Sequence, residues 1–133
     1  MSIVHDNEII SYEVDFQKEH IKIHTRYQNA DMKEEIDILF VDVISHMFEH
    51  QLKGSIILDI CESGIDHFIK DNKELLMKNH EYCWPLPFKS IEDLKIKLTE
   101  ENYKYIILMS SYGMNGWVLA KNYKIITKVV KND

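Results

Sequence analysis

Ser110-Ser111-Tyr112-Gly113-Met114-Asn115-Gly116-Trp117 joins the apolar run Tyr103 to Met109 to a second one, Val118 to Ala120. An Asn-Gly step supplies the positive φ angles of a tight hairpin, so this stretch predicts two antiparallel strands that fold back at 115–116. β structure at the carboxyl end follows, with Ile125 to Val130 as a last edge strand. Lysines at positions 121, 124, 128 and 131 discourage unwanted pairing along that edge.

Toward the amino end, Ile10, Tyr12, Val14 and Phe16 alternate with Ser11, Glu13 and Asp15. After Gln17 to Glu19, the alternation resumes as Ile21, Ile23, Thr25 and Tyr27 against His20, Lys22, His24 and Arg26. Period-two patterning across so short a connection predicts an antiparallel hairpin, with Glu13 and Asp15 near Lys22, His24 or Arg26 on its polar face. A polar loop over Gln28 to Glu35 leads to Ile36 to Val43, apolar on both faces and therefore read as central or covered by a helix. Ser55 to Ile60 forms a second such strand, and Ile44 to Leu52 fits either a helical turn or an excursion between strands.

Two helices separate these strands from the last ones. Ser63 and Asp66 have capping-box spacing ahead of Ile65, Phe68, Ile69, Leu75 and Leu76. Ser90 and Asp93 repeat it ahead of Ile91, Leu94 and Leu98. Between the helices, Pro85 and Pro87 forbid regular helix and predict a rigid, extended aromatic linker from Tyr82 to Phe88. Strands, two helices, then strands, with no βαβ series, predict one α+β domain over residues 1–133: a mainly antiparallel sheet with two helices packed on one face.

The chain has 133 residues, 45% of them hydrophobic, which is enough to fill a single core. No apolar run reaches the roughly 18 residues needed to cross a bilayer, and residues 1–10 lack a basic then apolar start, so a cytoplasmic location without membrane contact is expected. The 22 acidic residues outnumber 16 basic ones, Arg26 being the lone arginine. A net charge of -6 without a basic patch argues against nucleic-acid binding, which relies on neutralising phosphates. It suits solubility, or attraction of a cationic protein. Cys61 and Cys83 lack Cys-x-x-Cys spacing and read as reduced, structural thiols.

Chemistry would have to come from the seven histidines, and His46-Met47-Phe48-Glu49-His50 groups them most tightly. His-x-x-Glu-His is the reversed zinc-protease motif, in which two histidines one helical turn apart bind Zn²⁺ and a glutamate activates water. His46, Glu49 and His50 therefore define the alternative reading, a small metal-dependent hydrolase. The crowding of that segment between Val43 and Gly54 favours a turn with apolar side chains facing the core. No Gly-x-Ser-x-Gly context, phosphate-binding glycine loop or cysteine-histidine pair is present, so no catalytic residue and no cofactor is assigned. Aromatic residues in or beside loops are common interface anchors. Tyr82, Trp84, Tyr112 and Trp117, with the carboxylates Glu62 and Asp66, are the candidate partner-binding residues.

The succession Ile36-Asp37-Ile38-Leu39-Phe40-Val41-Asp42-Val43, a short His/Phe segment, Ile56-Ile57-Leu58-Asp59-Ile60 and the late Ser-Tyr-Gly...Gly-Trp stretch resembles small bacterial proteins of the immunity type. Such proteins are encoded beside secreted polymorphic toxins and block them by binding. The resemblance covers the middle and end of the chain and rests on structural motifs, so it carries over no functional residue. It implies a binding role without naming the toxin; together with the acidic excess and the lack of a catalytic constellation, the expectation is a non-catalytic protein-binding domain whose acidic surface covers a cationic toxin.

Overall fold

The computed structural model describes residues 3–130. The amino-terminal alternation folds as expected: β1 (Glu8–Asp15) and β2 (His20–Gln28) form an antiparallel hairpin with Glu13 opposite Lys22 and Val14 opposite Ile21. β2 continues its pairing with β3 (Lys33–Val41), from Ile21 opposite Phe40 to Gln28 opposite Lys33. The loop between them is shorter than the polar composition suggests. Asn29 Oδ1 closes it by accepting the amides of Asp31 and Met32 at 2.9 and 2.8 Å.

Beyond β3 the chain builds β4 (Ser45–Glu49), β5 (Ile56–Ser63), three α-helices, β6 (Lys104–Tyr112), β7 (Asn115–Ala120) and β8 (Asn122–Val130). The strands make one eight-stranded antiparallel sheet in the order β4-β7-β6-β5-β1-β2-β3-β8. Its middle seam is narrow. β5 meets β1 at the single ladder position Glu8–Ile56. Backbone bonds from Asp6 N to Ile57 O, Ile57 N to Asn7 O and Ile9 N to Ser55 O reinforce it. β7 belongs to one half and β8 to the other, and Lys121 carries the chain across.

Alternation explains the two apolar clusters. Ile21, Ile23, Ile36, Ile38 and Phe40 from one half pack with Ile57, Ile106, Leu108 and Val118 from the other. The intervening residues of β6 and β7, Tyr105, Ile107, Trp117 and Leu119, belong to a second cluster with Phe68, Leu76, Leu94 and Leu98 of the helices. Each fully buried Ile, Leu or Phe contributes roughly 1.5–3 kcal/mol of apolar transfer free energy. β3 has strand neighbours on both sides, but the strands whose second face meets helical residues are β6 and β7.

The helices are α1 (Ile65–Asp71), α2 (Lys73–Lys78) and α3 (Ile91–Glu100). The single first helix suggested by the spacing from Ile65 to Leu76 breaks at Asn72. Its side-chain Nδ2 donates to Phe68 O at 2.9 Å, beside its own backbone amide. Gly64 rather than Ser63 caps α1, and the Ser63 hydroxyl is hydrogen-bonded to His67 Nδ1. The second cap is as the spacing suggests, with Ser90 Oγ accepting from Asp93 N at 3.1 Å. The aromatic linker is less extended than its prolines imply: it starts with a 3₁₀ turn, His80–Tyr82, and Cys83 sits at φ 58°.

The Asn-Gly step is not the turn. The β6–β7 ladder runs from Lys104–Ala120 to Leu108–Gly116, so Asn115 and Gly116 lie within β7, and the chain reverses at Gly113 and Met114. Gly113, at φ 79°, abuts Ser55. Gly116 serves a tertiary purpose, because a Cβ there would overlap the Met47 carbonyl of β4.

Candidate functional site

β1 contains two adjacent isoleucines, Ile9 and Ile10, and its register with β2 shifts between Ile9 and Ser11. Such a bulge bends the strand and ends regular pairing, and here β1 departs from β5 at this point. Among the described residues Ile10 is left without a ladder partner, and from Ser11 to Asp15 the strand pairs with β2 alone. Its other edge borders a groove of about 530 Å³, walled by Glu8 to Tyr12 on one side and Gln51 to Ser55 on the other, with Met114 also lining it.

Local chemistry holds the far wall. His50 and Gly54 adopt positive φ (58° and 85°) to turn the chain out of β4. Ser55 Oγ donates to Leu52 O at 2.6 Å and accepts from Met114 N at 2.8 Å. At one end of the groove the Tyr12 ring meets Phe48 of β4 edge-on, centroids 5.3 Å apart, while Gln51 Nε2 donates to Phe48 O at 3.0 Å. A smaller hollow of about 190 Å³ is lined by Val14 to Phe16, Glu19, His20 and Val43 to His46. Two concavities thus border β1, with its Tyr12–Phe48 contact between them. Burial holds the His46 imidazole below its ordinary pKa and keeps it neutral near pH 7.

β1 itself carries Glu8, Glu13 and Asp15 with no lysine or arginine; Lys18 and Glu19 follow in the turn, and Lys53 stands on the far wall of the groove. None of these four carboxylates joins an ion pair among the described residues. Ile10, Tyr12 and Leu52 beside them are more than one-third exposed.

A second polar cluster lies on the outer face of β1, β2 and β3, where the registers put Ser11, His24 and Asp37 in one row. His24 Nδ1 stands 2.6 Å from Asp37 Oδ1, and its Nε2 points toward Glu35 Oε2 at 3.9 Å. Both ring nitrogens thus face carboxylates, Asp37 within hydrogen-bond distance and Glu35 beyond it. Burial raises the Asp37 pKa, but hydrogen bonds from His24 and Lys128 outweigh it and hold the carboxyl below its ordinary value. The row braces the sheet.

His46, Glu49 and His50 do not form the helical constellation that the reversed zinc motif needs. His46 to Glu49 lie on strand β4, where successive side chains point to opposite faces, so His46 and Glu49 diverge. Among the described residues no group of three or more His, Cys, Asp or Glu could hold a metal ion. The aromatic and acidic candidates are dispersed. Trp117 is 7% exposed and packs on Phe68, Tyr105 and Trp84, so its ring is committed to the second cluster. Trp84 is half-buried against it. Tyr82 and Tyr112 are exposed on separate elements, the 3₁₀ turn and the end of β6. Glu62 pairs with Lys104 at 3.7 Å and Asp66 with Lys95 at 3.0 Å. The β1 edge, absent from the sequence-based candidates, left two signals: the Ile9-Ile10 break in alternation and a strand with acidic but no basic residues.

Comparison with protein families, with curated proteins and with solved structures finds no match. Among the described residues no helix is long and apolar enough to cross a membrane.

Proposed function

We propose that this chain is a non-catalytic protein-binding domain of the immunity type, acting in the cytoplasm, whose acidic surface covers a cationic toxin. The observation that carries this reading is the acidic edge of β1: four carboxylates outside any ion pair among the described residues, beside a groove with exposed apolar walls. Opposite charge speeds encounter and selects partners, while desolvated apolar and aromatic groups supply most of the affinity. In this reading the helices cover the β6–β7 side of the sheet, supported by the cluster that Phe68 and Leu94 share with Trp117 and Leu119, and β1 is left to the partner.

The test is neutralisation. The product of the adjoining reading frame is expressed with and without this chain, in cells that do not otherwise carry either. Restored growth and a stoichiometric complex whose association slows as salt rises are the expected results. Growth arrest unchanged by the chain would overturn the reading.

A further inference from the structure

We infer that the partner docks by strand addition: an extended segment of the toxin, alternating lysine or arginine with apolar residues, pairs with the open edge of β1 from Ile10 to Asp15. This rests on the proposed partner-binding function and specifies its mode. An unpaired strand edge offers a row of backbone donors and acceptors, which an added strand satisfies while its alternate side chains seek pockets.

The alternation of the guest follows from that of the host. Ser11, Glu13 and Asp15 share the outer face with their β2 partners His24, Lys22 and His20. An added strand places every second side chain beside Glu13 and Asp15, where cations are favoured over apolar or acidic groups. Its remaining side chains face the side of Tyr12 and Val14. There the concavities on either side of the Tyr12–Phe48 contact offer Ile9, Leu52 and Met114, or Val14, Val43 and Ile44, as apolar neighbours. A second copy of this chain is a poor occupant, because pairing β1 with β1 sets Glu8, Glu13 and Asp15 against their own kind with no cation on either strand.

The probe is a capped synthetic peptide of β1's length alternating lysine with valine, titrated into the full chain at low salt and followed by amide hydrogen exchange. Binding is expected to protect those amides of residues 10–15 that do not donate to β2. Alternate backbone N-methylation keeps the peptide's charge but removes its donors, and is expected to abolish binding. The double substitution Glu13→Gln and Asp15→Asn, which preserves shape, is expected to weaken binding about tenfold. Protection elsewhere, undiminished binding of the N-methylated peptide, or a dimer of the free chain with these amides already protected would overturn strand addition. The two proposals part in the growth assay. Full neutralisation by the double variant sinks docking at β1 and leaves the binding function standing, whereas a wild-type chain that fails to neutralise sinks the function.

Discussion

Gly116 in β7 lies directly against the backbone of Met47 in β4, so close that a single added carbon would overlap the Met47 carbonyl oxygen. Its φ of 150° is also one that side chains with a Cβ rarely adopt. Gly116→Ala must displace β4 and is expected to destabilise the fold by about 3 kcal/mol. Gly54→Ala, at φ 85° with nothing within 4 Å of the new carbon, is expected to lose only about 1 kcal/mol. Urea denaturation of the two variants side by side checks the difference, and equal losses would mean that the β4–β7 contact yields easily.

Asp37 is 3% exposed and holds His24 at 2.6 Å and Lys128 at 3.0 Å. Asp37→Asn removes the carboxylate that His24 and Lys128 share, but Lys128 is 55% exposed and regains water. The expected loss at neutral pH is therefore about 2 kcal/mol, below that for a fully buried pair. Because the folded-state pKa is lowered from 3.8, this stabilisation is present above that value and disappears as the pH falls through the folded one. The wild type and Asp37→Asn should thus converge in stability near the acid limit, measured by denaturant midpoints across the pH range.

His46 gives a second pH signature. Its pKa is lowered from 6.5 by burial, so the unfolded chain takes up the proton first as the solution is acidified. Stability from the neutral ring is complete above about pH 6.5 and is lost as the pH falls through the folded value. His46→Gln is expected to flatten the stability profile in this window. A profile unchanged by the substitution would assign the slope to other groups.

Tyr105 Oη donates to Asp71 Oδ2 at 3.0 Å, tying β6 to the end of α1. Burial first, and the Asp71 bond second, push its phenol up to about 12. Stability from the protonated phenol is complete below its ordinary value of 10 and is lost as the pH rises toward about 12. Tyr105→Phe should lower stability by about 1 kcal/mol at neutral pH and weaken the alkaline decline, read from thermal melts in that range.

Much of this architecture was legible from local pattern alone. β1 and β2 declared themselves because isoleucine, threonine and valine alternate with charged side chains, and α3 because Ser90 and Asp93 flank its first turn. Helix α1 hid its end, since Phe68 and Leu76 keep helical spacing across the break that Asn72 imposes. β4 was obscured for another reason: Ser-His-Met-Phe-Glu has no β-branched residue, and His46, Met47 and Phe48 are all only partly buried. The Asn-Gly step misled because a contact between β7 and β4 overrode a local turn preference. The groove depends on where β1 and β5 diverge, a relation between distant segments that no short window of sequence contains.

The pairing of β3 with β8 joins Phe40 to Tyr123, residues far apart in the sequence. During synthesis β1, β2 and β3 precede the three helices and β4 to β7, so the far margin of β3 goes unmatched until β8 is made. Long-range pairing of this kind slows folding, and it leaves an adhesive border on the nascent chain until that strand arrives.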